Sequence, residues 1–375
     1  MEQDFPPSPL SLYVHIPFCL SRCGYCSFFS LPYSKAALQE YLAWLNKEKY
    51  LYPELLSRSL KSIYVGGGTP SLIPAEQIIE LLAGLKYTPE AEITLEVNPL
   101  QLTQAFLSAL QQTPVNRLSI GLQSMDDEQL SWLGRRHKSA ELPEKIKLCR
   151  DYGFQNLSLD FIYGLPGNIG SLTDQDNLKA ILDLQPSHIS CYLLSLEEDC
   201  ALWSQSPSLP DDEELVKQYE TICHILSQAA FEHYEISNFA RPGYESRHNL
   251  GYWNGNDYLA LGASGAGWIR PIRYQNSADL AQYYQNVQSA VRFPNAEKCS
   301  QQQEQNDWLM MGLRLTNGIS LAEFKARFGV ELESLYQKKL NKLMGIGMLC
   351  LNDSRLALTE QAYFVSTSVI GELLS

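Results

Sequence analysis

What the sequence lacks narrows its reading quickly. No stretch approaches the ~18 consecutive apolar residues that a membrane-spanning helix requires. Positive charge is in deficit: 29 Lys and Arg against 42 Asp and Glu leave a formal net charge of −13. That balance argues against general affinity for nucleic-acid backbones or anionic lipid surfaces, so no nucleic-acid partner is expected. It is compatible with no more than transient association with a membrane. The opening residues, Met1-Glu-Gln-Asp-Phe-Pro-Pro-Ser-Pro9, offer neither a basic nor an apolar leader region, so no secretory signal is expected. Nucleotide fingerprints are missing as well. Gly66-Gly67-Gly68-Thr69-Pro70 lacks the Gly-Lys pair of a phosphate loop, and Gly262, Gly265 and Gly267 are spaced wrongly for a dinucleotide fold.

The nine cysteines do not form a disulfide framework. Cys149, Cys191, Cys200, Cys223, Cys299 and Cys350 are scattered singly and read as reduced, buried filler, which implies a cytoplasmic protein. The other three crowd together. Cys19, Cys23 and Cys26 follow the spacing C-x3-C-x2-C, directly after the apolar run Leu10–Ile16. Thiolates suit iron–sulfur clusters and zinc. Three are one short of a closed four-ligand site, so a cluster held by them keeps one iron open to another ligand. A zinc site completed by His15 is the rival, but a second distant ligand pair is missing.

Along the chain, strand-like apolar runs alternate with helical patterns six times. The strands are Leu10–Ile16, Ser62–Val65, Ile93–Val97, Arg117–Gln123, Asn156–Tyr163 and His188–Leu196. Helices are expected from Lys35, Ala75, Thr103, Asp126, near Ser171, and from Asp211. The expected fold class is α/β: a parallel sheet rolled into a partial (β/α)6 TIM-like barrel. Special residues gather at strand ends, where such folds place their sites: the cysteines, the glycine run, Glu96, Gln123 and Asp160. From about Glu235 the alternation breaks. Arg247-His248-Asn-Leu-Gly-Tyr252-Trp253 sits in an irregular stretch, where His248 could ligate haem iron and Tyr252 and Trp253 could stack on a flat ligand. After Ala296, helices and a hairpin around Asn352-Asp-Ser354 suggest a small winged-helix-like domain with a packing or lid role. The expected division is a core at 1–235, a connecting region at 236–295 and a C-terminal domain at 296–375.

These motifs together carry a resemblance. C-x3-C-x-Y-C after a Y-x-H-I-P strand, with GGGTP on the next, resembles the radical S-adenosylmethionine superfamily. Gly121-Leu-Gln-Ser124, Asp160-Phe-Ile-Tyr-Gly-Leu-Pro166 and His248-Asn-x-x-Tyr-Trp253 are similar to the HemW subgroup of its oxygen-independent coproporphyrinogen III oxidase-like branch, regarded as haem chaperones. The resemblance implies that Cys19, Cys23 and Cys26 hold a 4Fe-4S cluster whose open iron binds S-adenosylmethionine. It implies that Gly67, Gly68, Thr69 and Glu96 line the methionine end, that Arg135 pairs with the carboxylate, and that Gln123 and Asp160 hold the ribose. Tyr13 and Tyr25 would flank the ligand. Cofactors and partners then follow: the cluster, S-adenosylmethionine, haem, and an unknown haem-acceptor protein. In related radical enzymes the reduced cluster cleaves the sulfonium to a 5′-deoxyadenosyl radical. Oxidases that decarboxylate coproporphyrinogen carry a further cysteine where this chain has Phe28. Decarboxylation is therefore the alternative reading and haem carriage the leading one.

Overall fold

The computed structural model describes residues 9–374. The proline-rich opening segment up to Ser8 lies outside them. Six strands succeed one another with helices between: β1 (Leu10–Ile16), β2 (Leu60–Gly67), β3 (Tyr87–Val97), β4 (Arg117–Gln123), β5 (Asn156–Tyr163) and β6 (His188–Leu193). All pair in parallel in sequence order. The intervening helices start on oxygen-bearing caps, among them Ser34, Thr103, Asp126, Thr173 and Asp211, each accepting from a backbone N–H of the first turn.

Residues 236–295, expected only as a connector, add to the same sheet. After a small hairpin, β7 (Glu232–Glu235) and β8 (Asn238–Ala240), strand β9 (Asp257–Leu261) runs parallel to β1, with Leu10 opposite Asp257. Strands β10 (Ala266–Ile269), β11 (Ile272–Gln275) and β12 (Glu297–Lys298) then extend that edge antiparallel. The full order is β12-β11-β10-β9-β1-β2-β3-β4-β5-β6-β8-β7, a twelve-stranded sheet that curls without closing: a partial barrel.

The strands are not the two-faced apolar runs that a parallel sheet suggests. They alternate. Leu12, Val14, Ile63, Val65, Ile93, Leu95, Leu118, Ile120, Leu157, Leu159 and Ile189 are buried in the main apolar core. The residues between them are polar and bond to one another across strands. Ser62 donates to Ser11 at 2.9 Å, Tyr64 to Glu96 at 2.9 Å, and Ser119 to Asp160 at 3.3 Å, while Ser158 meets His188 Nδ1 at 2.8 Å. Register aligns these groups, placing Glu96 opposite Ser119 and Asp160 opposite both Gly121 and Ser190. Most of these buried polar groups thereby keep a partner that offsets their desolvation, Thr94 Oγ1 being an exception.

A second core holds the C-terminal region together. Helices Gln301–Gly312, Leu321–Phe328, Leu332–Gly345 and Ser366–Leu374 surround the hairpin Leu349–Asn352/Arg355–Leu358, with Ile319–Ser320 as its third strand. Trp308, Phe324, Leu340 and Leu356 are buried there. Burial of each such side chain stabilises by about 1.5–3 kcal/mol.

Candidate functional site

The cysteine loop leaves the C-terminal end of β1 and is pinned at several points. A two-residue ribbon pairs Phe18–Cys19 with Leu31–Pro32, and Tyr33 N donates to Cys19 O at 2.9 Å. Gly24 N donates to Leu133 O at 3.0 Å, and Leu202 N donates to Gly24 O at 2.9 Å. Cys200, a residue that the sequence offered no reason to single out, donates its S–H to Tyr25 O at 3.1 Å. The segment around residue 200 thus straps the loop down.

All three loop cysteines are free and half-buried. Two donors reach them from neighbouring strand ends. Thr69 Oγ1 donates to Cys19 Sγ at 3.5 Å, and Arg135 Nη1 donates to Cys23 Sγ at 3.4 Å. Burial pushes the thiols of Cys19 and Cys26 up, against the pull of the Thr69 bond on Cys19. Burial thus disfavours a bare thiolate at these positions, and a bound metal ion would offset that charge. Among the described residues no three His, Cys, Asp or Glu side chains converge as around a single ion. The His15 of the zinc alternative is also taken, with Tyr13 O–H at 2.9 Å from Nδ1 and Phe29 O at 3.3 Å from Nε2.

The glycine run passes tightly beside the loop. Gly68 N donates to Ile16 O at 2.8 Å, and a Cβ at Gly68 would lie 3.0 Å from Cys19 Sγ and 2.8 Å from Phe18 O. Gly67 has φ +118°, a conformation that side chains avoid, and a Cβ there would strike the His15 ring. This turn aims Gly67 N at Glu96 Oε2, 3.0 Å away. Tyr64, missed in the sequence reading, holds the other carboxylate oxygen. Its signal was the period-2 polar alternation of β2.

Glu96 and Asp160 face the same interior. Burial pushes Glu96 up to about 7, with Asp160 adding repulsion, and burial pushes Asp160 up to about 6 against the hydrogen bond from Ser190. Arg135 lies beside them. Its Nη2 donates to Gly121 O at 2.5 Å, while its Nε is buried without a partner. A buried guanidinium edge left unpaired favours a bound anion. Gln123 ends β4 with φ +74°, and its amide lies over Gly121, where a Cβ would come within 2.9 Å of Nε2. Tyr13 stacks on Tyr64 at 6.2 Å, and Tyr25 is packed among Trp132, Leu133 and Leu194. The nine expected ligand contacts and three cysteines therefore collect at one end of the sheet. Their donor chemistry fits a thiolate-held cluster with a carboxylate-bearing ligand.

The His248-Asn-x-x-Tyr-Trp motif goes elsewhere. Arg247–Trp253 is a helix, not an irregular stretch, capped by Ser246. Glu92, on β3, accepts from Arg247 N at 3.2 Å and His248 N at 3.3 Å. His248 is buried, with Ser62 Oγ at 2.9 Å from Nδ1 and Tyr252 O–H at 2.8 Å from Nε2. Burial drives its pKa down to about 3. Both ring nitrogens of His248 are engaged within the protein, so the expected haem-ligand role of His248 and Tyr252 would require these bonds to be given up. Both are posts that fix this helix against the N-terminal half of the barrel. Trp253, the last residue of the helix, lines a separate cavity.

Similarity to known proteins agrees with these features. Residues 13–184 match the family model of the radical SAM superfamily, and residues 300–365 match the HemN C-terminal domain. A Lactococcus lactis protein named "Heme chaperone HemW" is 30% identical over 98% of this chain and 97% of its own length. Its Bacillus subtilis namesake is 31% identical, covering 97% and 99%, and that of Escherichia coli is 37% identical over 70% of each. Among solved structures, the Escherichia coli coproporphyrinogen III oxidase HemN superposes with a TM-score of 0.85 at 22% identity, covering 100% of this chain and 92% of that one, a likeness of fold.

Proposed function

The chain belongs to the HemW family of radical SAM proteins, and from that membership we propose that it is a haem chaperone, binding haem and handing it to an acceptor protein. The observation that carries this reading is similarity over essentially the whole length to proteins bearing that name. Phe28 supports it. It occupies the place of the oxidases' further cysteine, is 68% exposed beside the loop, and can neither ligate metal nor carry a proton.

In this reading Cys19, Cys23 and Cys26 hold a 4Fe-4S cluster, and S-adenosylmethionine binds beside it. When bound, the cluster supplies electrons to the sulfonium. Thr69 donates to Cys19 Sγ and Arg135 to Cys23 Sγ, so both sulfurs are held in place by donors from neighbouring strand ends. Arg135 takes the carboxylate of S-adenosylmethionine on its free edge. Gly67, Gly68, Thr69 and Glu96 line the methionine end, with Glu96 held in place by Tyr64 and Gly67 N. Gln123 and Asp160 bind the ribose hydroxyls, and Tyr13 and Tyr25 flank the ligand. No helix among the described residues is long and apolar enough to cross a membrane.

The test is haemin titration of anaerobically reconstituted protein, followed by transfer to apomyoglobin as a trap. Stoichiometric binding and release to the trap are expected; a protein that never retains haemin would sink the reading.

A further inference from the structure

A cavity of about 1060 Å³ lies between the N-terminal rim of the barrel and the C-terminal domain. Its barrel side is formed by the start of β9 at Asp257 and by Trp253 and Asn254 at the end of the posted helix. Its other side is formed by residues of the C-terminal core, including Trp308 and Phe328. The volume stands at the upper end of small-molecule sites, about 300–1,000 Å³, so a macrocycle fits it.

Three features point to the kind of ligand. Trp253, Trp308 and Phe328 are among the wall residues, Trp308 and Phe328 being mostly buried in the C-terminal core. Three arginines and three carboxylates line it, but they are not all paired with one another. Arg270 is matched by Asp257 at 2.9 Å on the barrel side. On the other side, Arg327 donates to Gly255 O at 2.8 Å and Arg355 to Asn317 and Gly318 carbonyls at 2.8 and 2.6 Å, and neither pairs with a carboxylate among the described residues. Glu323 and Glu304 also line the cavity, Glu304 within the field of Arg270. A flat apolar molecule bearing carboxylates answers these two. Third, none of the described lining residues is His, Cys, Met or Tyr, the usual axial ligands of haem iron.

Resting on the haem-chaperone reading, we propose that this cavity is the haem site and that it holds the tetrapyrrole by its faces and propionates, not by its iron. Arg327 and Arg355 take the propionates, and Trp253 supplies a wall. Binding without strong axial ligation suits a carrier, because release then requires no iron–protein bond to break. The site lies at the end of the barrel opposite the cysteine loop, separated by the seven residues of β1, or about 20 Å. Haem held there is cargo, out of reach of chemistry at the loop.

The experiment titrates the full chain with haemin, iron-free protoporphyrin IX and protoporphyrin IX dimethyl ester, followed by tryptophan quenching. Haemin and the free acid should bind within about threefold of each other and the ester about 10-fold more weakly. Arg327→Gln and the exposed, cavity-lining Ala326→Trp should each weaken haemin by about 10-fold. S-adenosylmethionine should not compete. Unchanged binding in both variants, ester binding equal to the acid, a requirement for iron, or competition by S-adenosylmethionine would each overturn the assignment while leaving haem carriage standing. Failure of the unmodified chain to bind haemin at all would instead remove the chaperone reading beneath it.

Discussion

His248 Nδ1 sits 2.9 Å from Ser62 Oγ, deep in the polar interior of the barrel, and its other nitrogen meets the Tyr252 hydroxyl at 2.8 Å. This pair explains why a motif with the composition of a metal site behaves as a structural post. The helix it anchors delivers Trp253 to the far cavity, so only the last residue of the motif lines the proposed haem site.

His248→Ala should therefore cost stability and spare haem affinity. It leaves Ser62 and Tyr252 short of a partner and opens a void, a loss of about 2–4 kcal/mol. Denaturant unfolding together with haemin titration checks this. A stable variant that no longer binds haemin would restore His248 as a ligand.

Replacing any of Cys19, Cys23 or Cys26 by Ala should abolish stoichiometric iron and sulfide after reconstitution, because two thiolates do not hold a 4Fe-4S cluster. Elemental analysis of each variant decides it. Full iron content in any one would remove that cysteine from the ligand set.

Arg135→Ala should weaken S-adenosylmethionine by about 10- to 100-fold, the scale of a lost charge-assisted carboxylate contact. Equilibrium dialysis with labelled ligand under anaerobic conditions gives the number. Unaltered affinity would place the carboxylate elsewhere.

Glu96 makes stability depend on pH in a definite direction. Its folded pKa is raised from 4.5 to about 7, burial being the main cause. The folded state thus holds its proton more tightly than the unfolded chain. The stabilisation is complete below 4.5 and is lost as pH rises through about 7. Between those values Glu96→Gln should flatten the fall in melting temperature of the ligand-free protein. A slope identical to that of the unmodified chain would mean that Glu96 is ionised throughout.

Coproporphyrinogen III should pass through the reconstituted protein unchanged, with Phe28 where the oxidases carry their cysteine. Anaerobic incubation with S-adenosylmethionine and a reductant, read by product chromatography, is the check. Decarboxylated product would favour the oxidase alternative.

Much was legible in the chain. Apolar runs separated by helical patterns predicted six β/α units, and β1, β4 and β5 begin and end where the pattern placed them. The loop of Cys19, Cys23 and Cys26 was legible because the three thiols sit close together in sequence. Glu96, Gln123 and Asp160 stood out as polar residues at strand ends. Tyr64 and Cys200 did not, since one tyrosine in a strand and one cysteine in a loop look the same as core.

What the sequence by itself determined is the local part: the alternation that makes strands and helices, and the spacing that gathers three thiols on one loop. What only the tertiary structure decided is which faces meet. Strand β9 joins β1 across more than two hundred residues, and neither segment announces that pairing in its own composition. His248 becomes a post because Ser62 and Glu92 stand on neighbouring strands where the helix lands. The cavity with Arg327 and Arg355 exists only where two separate cores come together. Hydrophobic periodicity is a property of neighbours along the chain, whereas register and docking depend on contacts between segments that the linear order keeps apart.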